Sequence, residues 1–522
     1  MKHPSARLVY LSMCFAILTS VPVLGANVMV TNSNDAGPGS LRDAIAAASS
    51  DDTISFSLSY PATITVNRTL TINTNLTISG PGALNLTISG GGVVRVFSVN
   101  PGMTVAISGV TVENGFSFYP DFGGAIYNQG LLSLTDSTLS RNSSSYGGAI
   151  FNEGTLTLSG SLVFLNIGIQ YGGGIYNRGS LTLVDSTVLL NQAFFYGGGI
   201  VNVGTFTINK SAIIGNTAPD SGGLAHVAGT GVLTNSTIAF NSAESAGGVS
   251  VIGTLTIANS TFAINTASFR GGAIYNRIGP LTMKNTILAD TPLGANCFLD
   301  TLILSGGHNL SDDPSCFLVG IGDMNSTPAG LNLSSQANGG PTPTIELTAI
   351  SPAVDAIPVS PTNYCTGIDG GTPLATDQRG VARPQGFGCD IGAYERKGFS
   401  SFNPKLEFHG QGFALNAAFT LSADSAPIDP VTQVVQLQIG SYRVMIPAGS
   451  FHQTQGSNSG SWTYAGKIDG VKLSFQISSL GSDNYRLNAT GSPVDFSGFQ
   501  NPVNVAIGIG FDTGSTQTVA TF

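Results

Sequence analysis

Seven aromatic residues keep a spacing that chance would not keep: Phe122, Tyr146, Tyr171 and Tyr196 in one series, Tyr127, Phe151 and Tyr176 in another, with steps of 24 or 25 residues. Rings at a fixed period either hold one another, at about 0.5–1.5 kcal/mol per pair, or form an apolar stripe that a sugar or a partner protein can recognise. The titratable residues were weighed for catalysis. A polysaccharide lyase needs carboxylates clustered around Ca²⁺ and a base for the sugar's proton, and a hydrolase needs two carboxylates at a set separation. Asp136 and Asp185 share a column but have Gly160 between them, two rungs apart. Glu153 and Arg178 fall on adjacent rungs and read as a surface ion pair of small worth. His226 stands alone in the second aromatic series and reads as exposed. The most crowded set is Asp355, Asp369, Asp377, Arg379, Arg383, Asp390 and Glu395. It could build a Ca²⁺ or catalytic site, but its place at the end of the repeats favours a salt-bridged plug. No closely spaced cysteine pair offers a thiolate metal site, so no metal, cofactor or catalytic residue is expected.

The element that positions these residues is a repeat. Gly-Gly pairs begin at Gly123, Gly147, Gly172, Gly197, Gly222, Gly247 and Gly271. In phase with them run Asn142, Asn166, Asn191, Asn216, Asn241 and Asn265, and five residues earlier Ser137, Ser161, Ser186, Ser211, Ser236 and Ser260. Within each unit, segments such as GTLTLSGS alternate apolar and polar residues, the pattern of a strand with one buried face. Three short strands and three turns fill 24–25 residues and make one coil of a parallel β-helix. Successive coils stack about 4.8 Å apart, so equal positions form columns.

The columns are then legible. Counting from the first glycine, Ile126, Ile150, Ile175, Ile200, Ala225, Ser250 and Ile274 should face inward. Two residues on come Asn128, Asn152, Asn177, Asn202, Val227, Ile252 and Asn276, an interior corner where Asn must pair with its neighbours to be tolerated. The residues between these two columns should face outward, which is where the second aromatic series lies.

Composition agrees with this architecture. Only 9% of the 522 residues are charged, against roughly 25% in an average soluble domain, because a like-charged column would repel itself. The 20 Lys and Arg against 29 Asp and Glu, net −9 with no basic run, argue against a nucleic-acid partner. Lys2, His3 and Arg7 precede an apolar stretch that ends near Leu24, Gly25 and Ala26. This is the grammar of a secretory signal peptide cleaved after Ala26, an uncleaved anchor being the alternative. No later run is long enough for a spanning helix. The mature chain is expected to be extracellular or at a bacterial cell surface, and monomeric. Cys297, Cys316, Cys365 and Cys389 remain after cleavage. Three pairings are possible in an oxidising compartment, and Cys297–Cys316 with Cys365–Cys389, closing the shorter loops, is the expected one.

Two segments, YGGGIYNRGSLTLVDSTVLLN and GGAIYNQGLLSLTDSTLSRN, resemble the GGAI and F-x-x-N repeats of bacterial polymorphic outer-membrane proteins. VTNSNDAGPGSLRDAIAAA, NGGPTPTIEL, SPAVDA, DQRGVARPQ and CDIGAYE resemble the flanks of secreted right-handed β-helix proteins of the choice-of-anchor Q type. The resemblance spans about residues 28–395. It implies a right-handed β-helix displayed or released at a bacterial surface, and it transfers no catalytic residue. The anchoring segment that relatives carry after the helix is not visible in this sequence.

The expected organisation is all-β: signal peptide 1–26, β-helix 27–289, last coils and disulfide cap 290–396, and a separate antiparallel β-sandwich 397–522. Ser40 to Ala48 places Leu41, Ala44 and Ile45 at helical spacing with Ser40 as cap, a short helix to cover the first coil. The expected function is non-enzymatic: adhesion, binding of a cell-surface glycan or protein, or a surface scaffold. A polysaccharide lyase or glycoside hydrolase on the same architecture is the alternative.

Overall fold

The computed structural model describes residues 25–367, 372–422, 425, 428–454, 460–510 and 512–521. The signal peptide ahead of Gly25 and the cap residue Asp369 lie outside the described residues. Residues 27–311 form a shaft of three parallel sheets, here faces A, B and C, with 12, 11 and 10 strands. Leu131–Thr135, Thr155–Ser159 and Ser180–Val184 are successive strands of face A. Thr138–Ser140, Leu162–Phe164 and Thr187–Leu189 are the corresponding strands of face B, and Ile126–Asn128, Ile150–Asn152 and Ile175–Asn177 those of face C. Strands pair in register, residue over equivalent residue: Leu156 over Leu132, Val163 over Leu139, Ile150 over Ile126. The inward-pointing apolar side chains of all three faces are buried in one continuous core.

Each corner has its own chemistry. Between faces A and B one residue takes a left-handed conformation on every rung: Asp136, Gly160, Asp185, Lys210, Asn235, Asn259 and Asn285. Asn, Asp and Gly tolerate that conformation best, so the column holding Asp136 and Asp185 is turn chemistry. The next residue is the serine marker, whose Oγ accepts the backbone N–H of the serine below, as Ser186 does from Ser161 at 3.1 Å. After face B, each asparagine Oδ1 accepts both the backbone N–H and the side-chain amide of the asparagine one rung earlier, all near 2.9 Å from Asn142 to Asn216. A second amide ladder joins Asn128, Asn152, Asn177 and Asn202 at 2.6–2.7 Å.

The register corrects the sequence reading on two rungs. The left-handed corner seat is held by Gly123, Gly147, Gly172 and Gly197, then by Ser221 (φ 63°) and Ala246 (φ 59°), then by Gly271. Gly222 and Gly247 therefore belong one position later than first glycines. Leu224 and Val249, not Ala225 and Ser250, point inward under Ile200 and Ile274. His226 and Val251, not Val227 and Ile252, continue the asparagine corner. His226 is buried rather than exposed: its Nδ1 accepts from Asn202 Nδ2 at 3.1 Å and its Nε2 donates to the Thr254 carbonyl at 3.0 Å.

Rungs of different length coexist because two corners absorb the difference. Just before the glycine seat, Ser144 pairs with Gly168 but Tyr146 with Tyr171, and Ala243 with Ala267 but Ser245 with Arg270. Between faces C and A, Asn202 pairs with His226 but Phe206 with Gly231, and His226 with Val251 but Thr230 with Thr254. The ladders within each face stay in step.

At the N-terminal end the helix Leu41–Ala47 buries Leu41, Ala44 and Ile45 over the first coil, and the Ser40 side chain accepts the Asp43 N–H. At the other end Cys297 and Cys316 are joined, and Cys316 and Leu318 close the core. The second disulfide, Cys365–Cys389, lies in a segment that does more than plug the end. Residues 329–396 fold back along the outside of face B as a buttress, where Ala239, Ala263, Ile287 and Ala289 make close contact with Leu347, Ile357, Ile391 and Tyr394. Gln378 accepts from Thr237 Oγ1 at 2.7 Å, and Thr342 donates to the Lys210 carbonyl at 3.0 Å.

Beyond it two antiparallel sheets of six and four strands enclose a separate core. Leu406, Phe413 and Phe419 of the larger sheet meet Leu437, Val505 and Ile507 of the smaller. A buried ion pair, Arg396–Asp512 at 3.0 Å, ties this sandwich to the buttress.

Candidate functional site

Face C carries the aromatic residues for a simple reason of alternation. In each Ile-x-Asn strand the first and third residues point inward, so the middle one points out. The in-register middle column is Tyr127, Phe151, Tyr176, Val201, Ala225, Ser250, Tyr275 and Phe298. Beside it, ahead of the glycine seat, Tyr146, Tyr171, Tyr196, Asp220, Ser245 and Arg270 pair from rung to rung.

All seven rings singled out in the sequence meet in one cluster. In the first column the centroids of Phe122, Tyr146, Tyr171 and Tyr196 follow one another at 5.2, 5.1 and 5.6 Å. In the second, Tyr127 and Phe151 are 5.7 Å apart, and Phe151 and Tyr176 are parallel at 5.2 Å. The columns also interlock, Phe122 stacking on Phe151 at 4.6 Å and Tyr146 meeting Tyr176 edge-on at 5.3 Å. Interlocking covers Phe151, which is 2% exposed although it points away from the shaft core, whereas Tyr196 is 40% exposed. The expectation of two outward-facing columns thus holds for direction but not for the accessibility of Phe151.

The N-terminal end of the cluster is pinned by charge. Tyr127 donates its hydroxyl to Glu153 at 2.6 Å, and Arg178 pairs with Glu153 at 3.1 Å. Burial, with the Glu153 hydrogen bond adding to it, pushes the Tyr127 phenol up to about 12, so it stays a neutral donor at any physiological pH.

The other end is open. At Val201, Ala225 and Ser250 the middle column has no ring, and it resumes at Tyr275 against Phe298. The interruption makes a pocket of about 280 Å³. Its floor is Val201, Ala225 and Ser250, one wall is Val203, Val227 and Ile252, and the other is Tyr171, Tyr196 and Asp220. Tyr176 faces it from one end. Arg277 closes the opposite end, packed over the Tyr275 ring at 4.8 Å and bonded through Nη2 to Asp220.

Sequence reasoning missed Asp220 and Arg277, which are 57 residues apart and meet only because Arg277 reaches back two rungs. The available signal was the alignment of SGGLAHV with GGGIVNV, which puts Asp220 in line with Tyr196.

The carboxylates considered for catalysis are placed otherwise. Asp377, Asp390 and Glu395 are buried in the buttress. Asp377 pairs with Arg379 at 2.8 Å and Glu395 with Arg383 at 3.0 Å. Glu395 also accepts backbone N–H groups of Gln385 and Asp390 at 2.8 and 2.9 Å. Asp390 accepts those of Asp355 and Arg396 at 2.7 and 2.6 Å. These oxygens hold the polypeptide together. Among the described residues no group of three His, Cys, Asp or Glu side chains could hold a metal ion, and no helix is long and apolar enough to cross a membrane.

No protein-family model matches this chain, and no curated protein matches it.

Proposed function

We propose that the protein is a secreted or surface-displayed β-helix that works by binding rather than by chemistry, with the aromatic cluster of face C as its recognition surface for a cell-surface glycan or protein. One observation carries this reading: seven rings are gathered on the outside of a shaft whose core is already complete without them. An apolar surface patch rimmed by polar residues is a feature of interaction surfaces. The resemblance to polymorphic outer-membrane repeats and choice-of-anchor Q flanks supports a surface location, as do the two disulfides. The competing reading, a polysaccharide lyase or hydrolase, would need accessible carboxylates, and Asp377, Asp390 and Glu395 of the buttress are enclosed and bonded.

The test is a glycan and host-protein binding array on the mature chain, with a Phe122→Ala/Tyr146→Ala variant as control. Binding that falls at least tenfold in the variant, with the β-sheet circular dichroism unchanged, is the expected result. Equal binding by both proteins would remove the cluster from the function.

A further inference from the structure

Resting on that reading, we infer that the pocket where the ring column is interrupted seats a tyrosine side chain presented by a partner polypeptide. Four features select this occupant. Tyr176 lies parallel to Phe151 on one side and turns its other face into the pocket, so a planar ring set there continues the offset stack. On the floor and one wall Val201, Ala225, Val203 and Ile252 offer apolar contact and no hydrogen bond, and the Ser250 hydroxyl of the floor is already bonded to Ser221 Oγ at 2.5 Å. The polar groups gather at the far end: Asp220 accepts from Ser221 Oγ at 2.8 Å through one oxygen and from Arg277 through the other. A carboxylate has about four acceptor positions, so Asp220 can take one more hydrogen from a phenol. A pyranose carries hydroxyls all round its ring and would set some of them against Val201, Val203 and Ile252, which cannot bond them.

Size admits such a side chain: a cavity of about 150 Å³ takes up a benzene ring, so about 280 Å³ leaves room for a phenol and part of the backbone that carries it. One ring alone binds weakly, so useful affinity requires the rest of the partner to lie along the neighbouring rings, as the anchor residue of a protein interface does.

The probes are N-acetyl-tyrosinamide, N-acetyl-phenylalaninamide and methyl β-glucopyranoside, added to the full chain and followed by saturation-transfer NMR. The tyrosine amide is expected to bind in the millimolar range and the phenylalanine amide about tenfold more weakly, the worth of one hydrogen bond to a charged acceptor. The pyranoside should give no transfer. Ala225→Phe, which extends the protein's own ring column into the pocket, should abolish binding of both amides while leaving the melting temperature unchanged. Asp220→Asn should erase the preference for tyrosine over phenylalanine. Preference for the pyranoside, absence of amide binding, or tyrosine binding that survives Ala225→Phe would each overturn the assignment. If that happened while Phe122→Ala/Tyr146→Ala still lost array binding, the pocket alone would fall and the recognition face would stand.

Discussion

Inside the shaft the buried polar side chains are Asn142, Asn166, Asn191, Asn216 and the serines that accompany them; inside the buttress they are Asp377, Asp390, Glu395, Arg383 and Arg396. Both sets are hydrogen-bonded, yet one is neutral and the other ionic. The repeat explains the difference. A position in the shaft is copied every 4.8 Å, and two like charges at that distance repel by about 3–4 kcal/mol at an effective dielectric constant of 20. An amide carries donor and acceptor in one group and bonds to its own copy. The buttress is unique sequence, so each charge there can be given a partner of its own: Arg383 for Glu395, Arg379 for Asp377, Arg396 for Asp512. Self-similarity therefore governs which kind of polarity a region can bury.

The largest effect expected from this contrast is in the shaft. Asn191→Leu strips partners from Asn166 N, Asn166 Nδ2 and the Val163 carbonyl. At about 1–3 kcal/mol for each of the three buried groups left unpaired, the loss is roughly 3–9 kcal/mol. Denaturant unfolding followed by circular dichroism should show it equally at pH 5 and pH 8, since no group titrates. A loss that varied with pH would break the contrast.

Next is Arg383→Met, which leaves Glu395 enclosed without its cation, at a cost of about 3–5 kcal/mol at pH 8. Burial already raises Glu395 to about 7 against the pull of Arg383, and burial with the neighbouring Glu395 and Asp355 raises Asp390 well above the usual carboxyl range. A carboxyl raised in the folded state takes up a proton that the unfolded chain does not. Stability is therefore gained as pH falls from about 7 towards the ordinary carboxyl range. Protection factors over Thr376–Arg396, with the intrinsic pH dependence of amide exchange divided out, should be higher at pH 5 than at pH 8 in the native protein, and the variant should recover part of its loss at pH 5.

His226→Asn is the smallest, about 1 kcal/mol or less at pH 8, because asparagine is the residue that this corner holds on the rungs below. Burial lowers the His226 imidazole from its usual value, although the Thr254 carbonyl opposes the shift. The unfolded chain therefore binds the proton first, and the shaft loses stability as pH falls through the ordinary histidine range, the reverse of the buttress. Protection factors at Leu224–His226, with the intrinsic pH dependence of amide exchange divided out, should fall on acidification in the native protein and stay level in the variant.

The sequence showed the period, the inward and outward columns of the regular rungs, the amide ladders, both disulfides and the ring cluster, because all of these follow from spacing. It misplaced two rungs. In GGGIYN the left-handed seat is the first of three glycines, but SGGLAHV and AGGVSV put Ser221 and Ala246 in that seat, so counting from the first glycine slips by one. A slip of one residue exchanges inside and outside in a strand, which is how His226 came to be read as exposed. The pocket was hidden for a related reason, since it depends on what three rungs lack and on an arginine that crosses rungs.

One of the two corners that take up an odd residue has an evolutionary consequence. It lies directly before Tyr146, Tyr171 and Tyr196, so a residue inserted or deleted there reshapes the margin of the ring cluster and leaves the ladders of the three faces unaltered. In descendants of this chain the rim of that surface can change length while the scaffold is inherited.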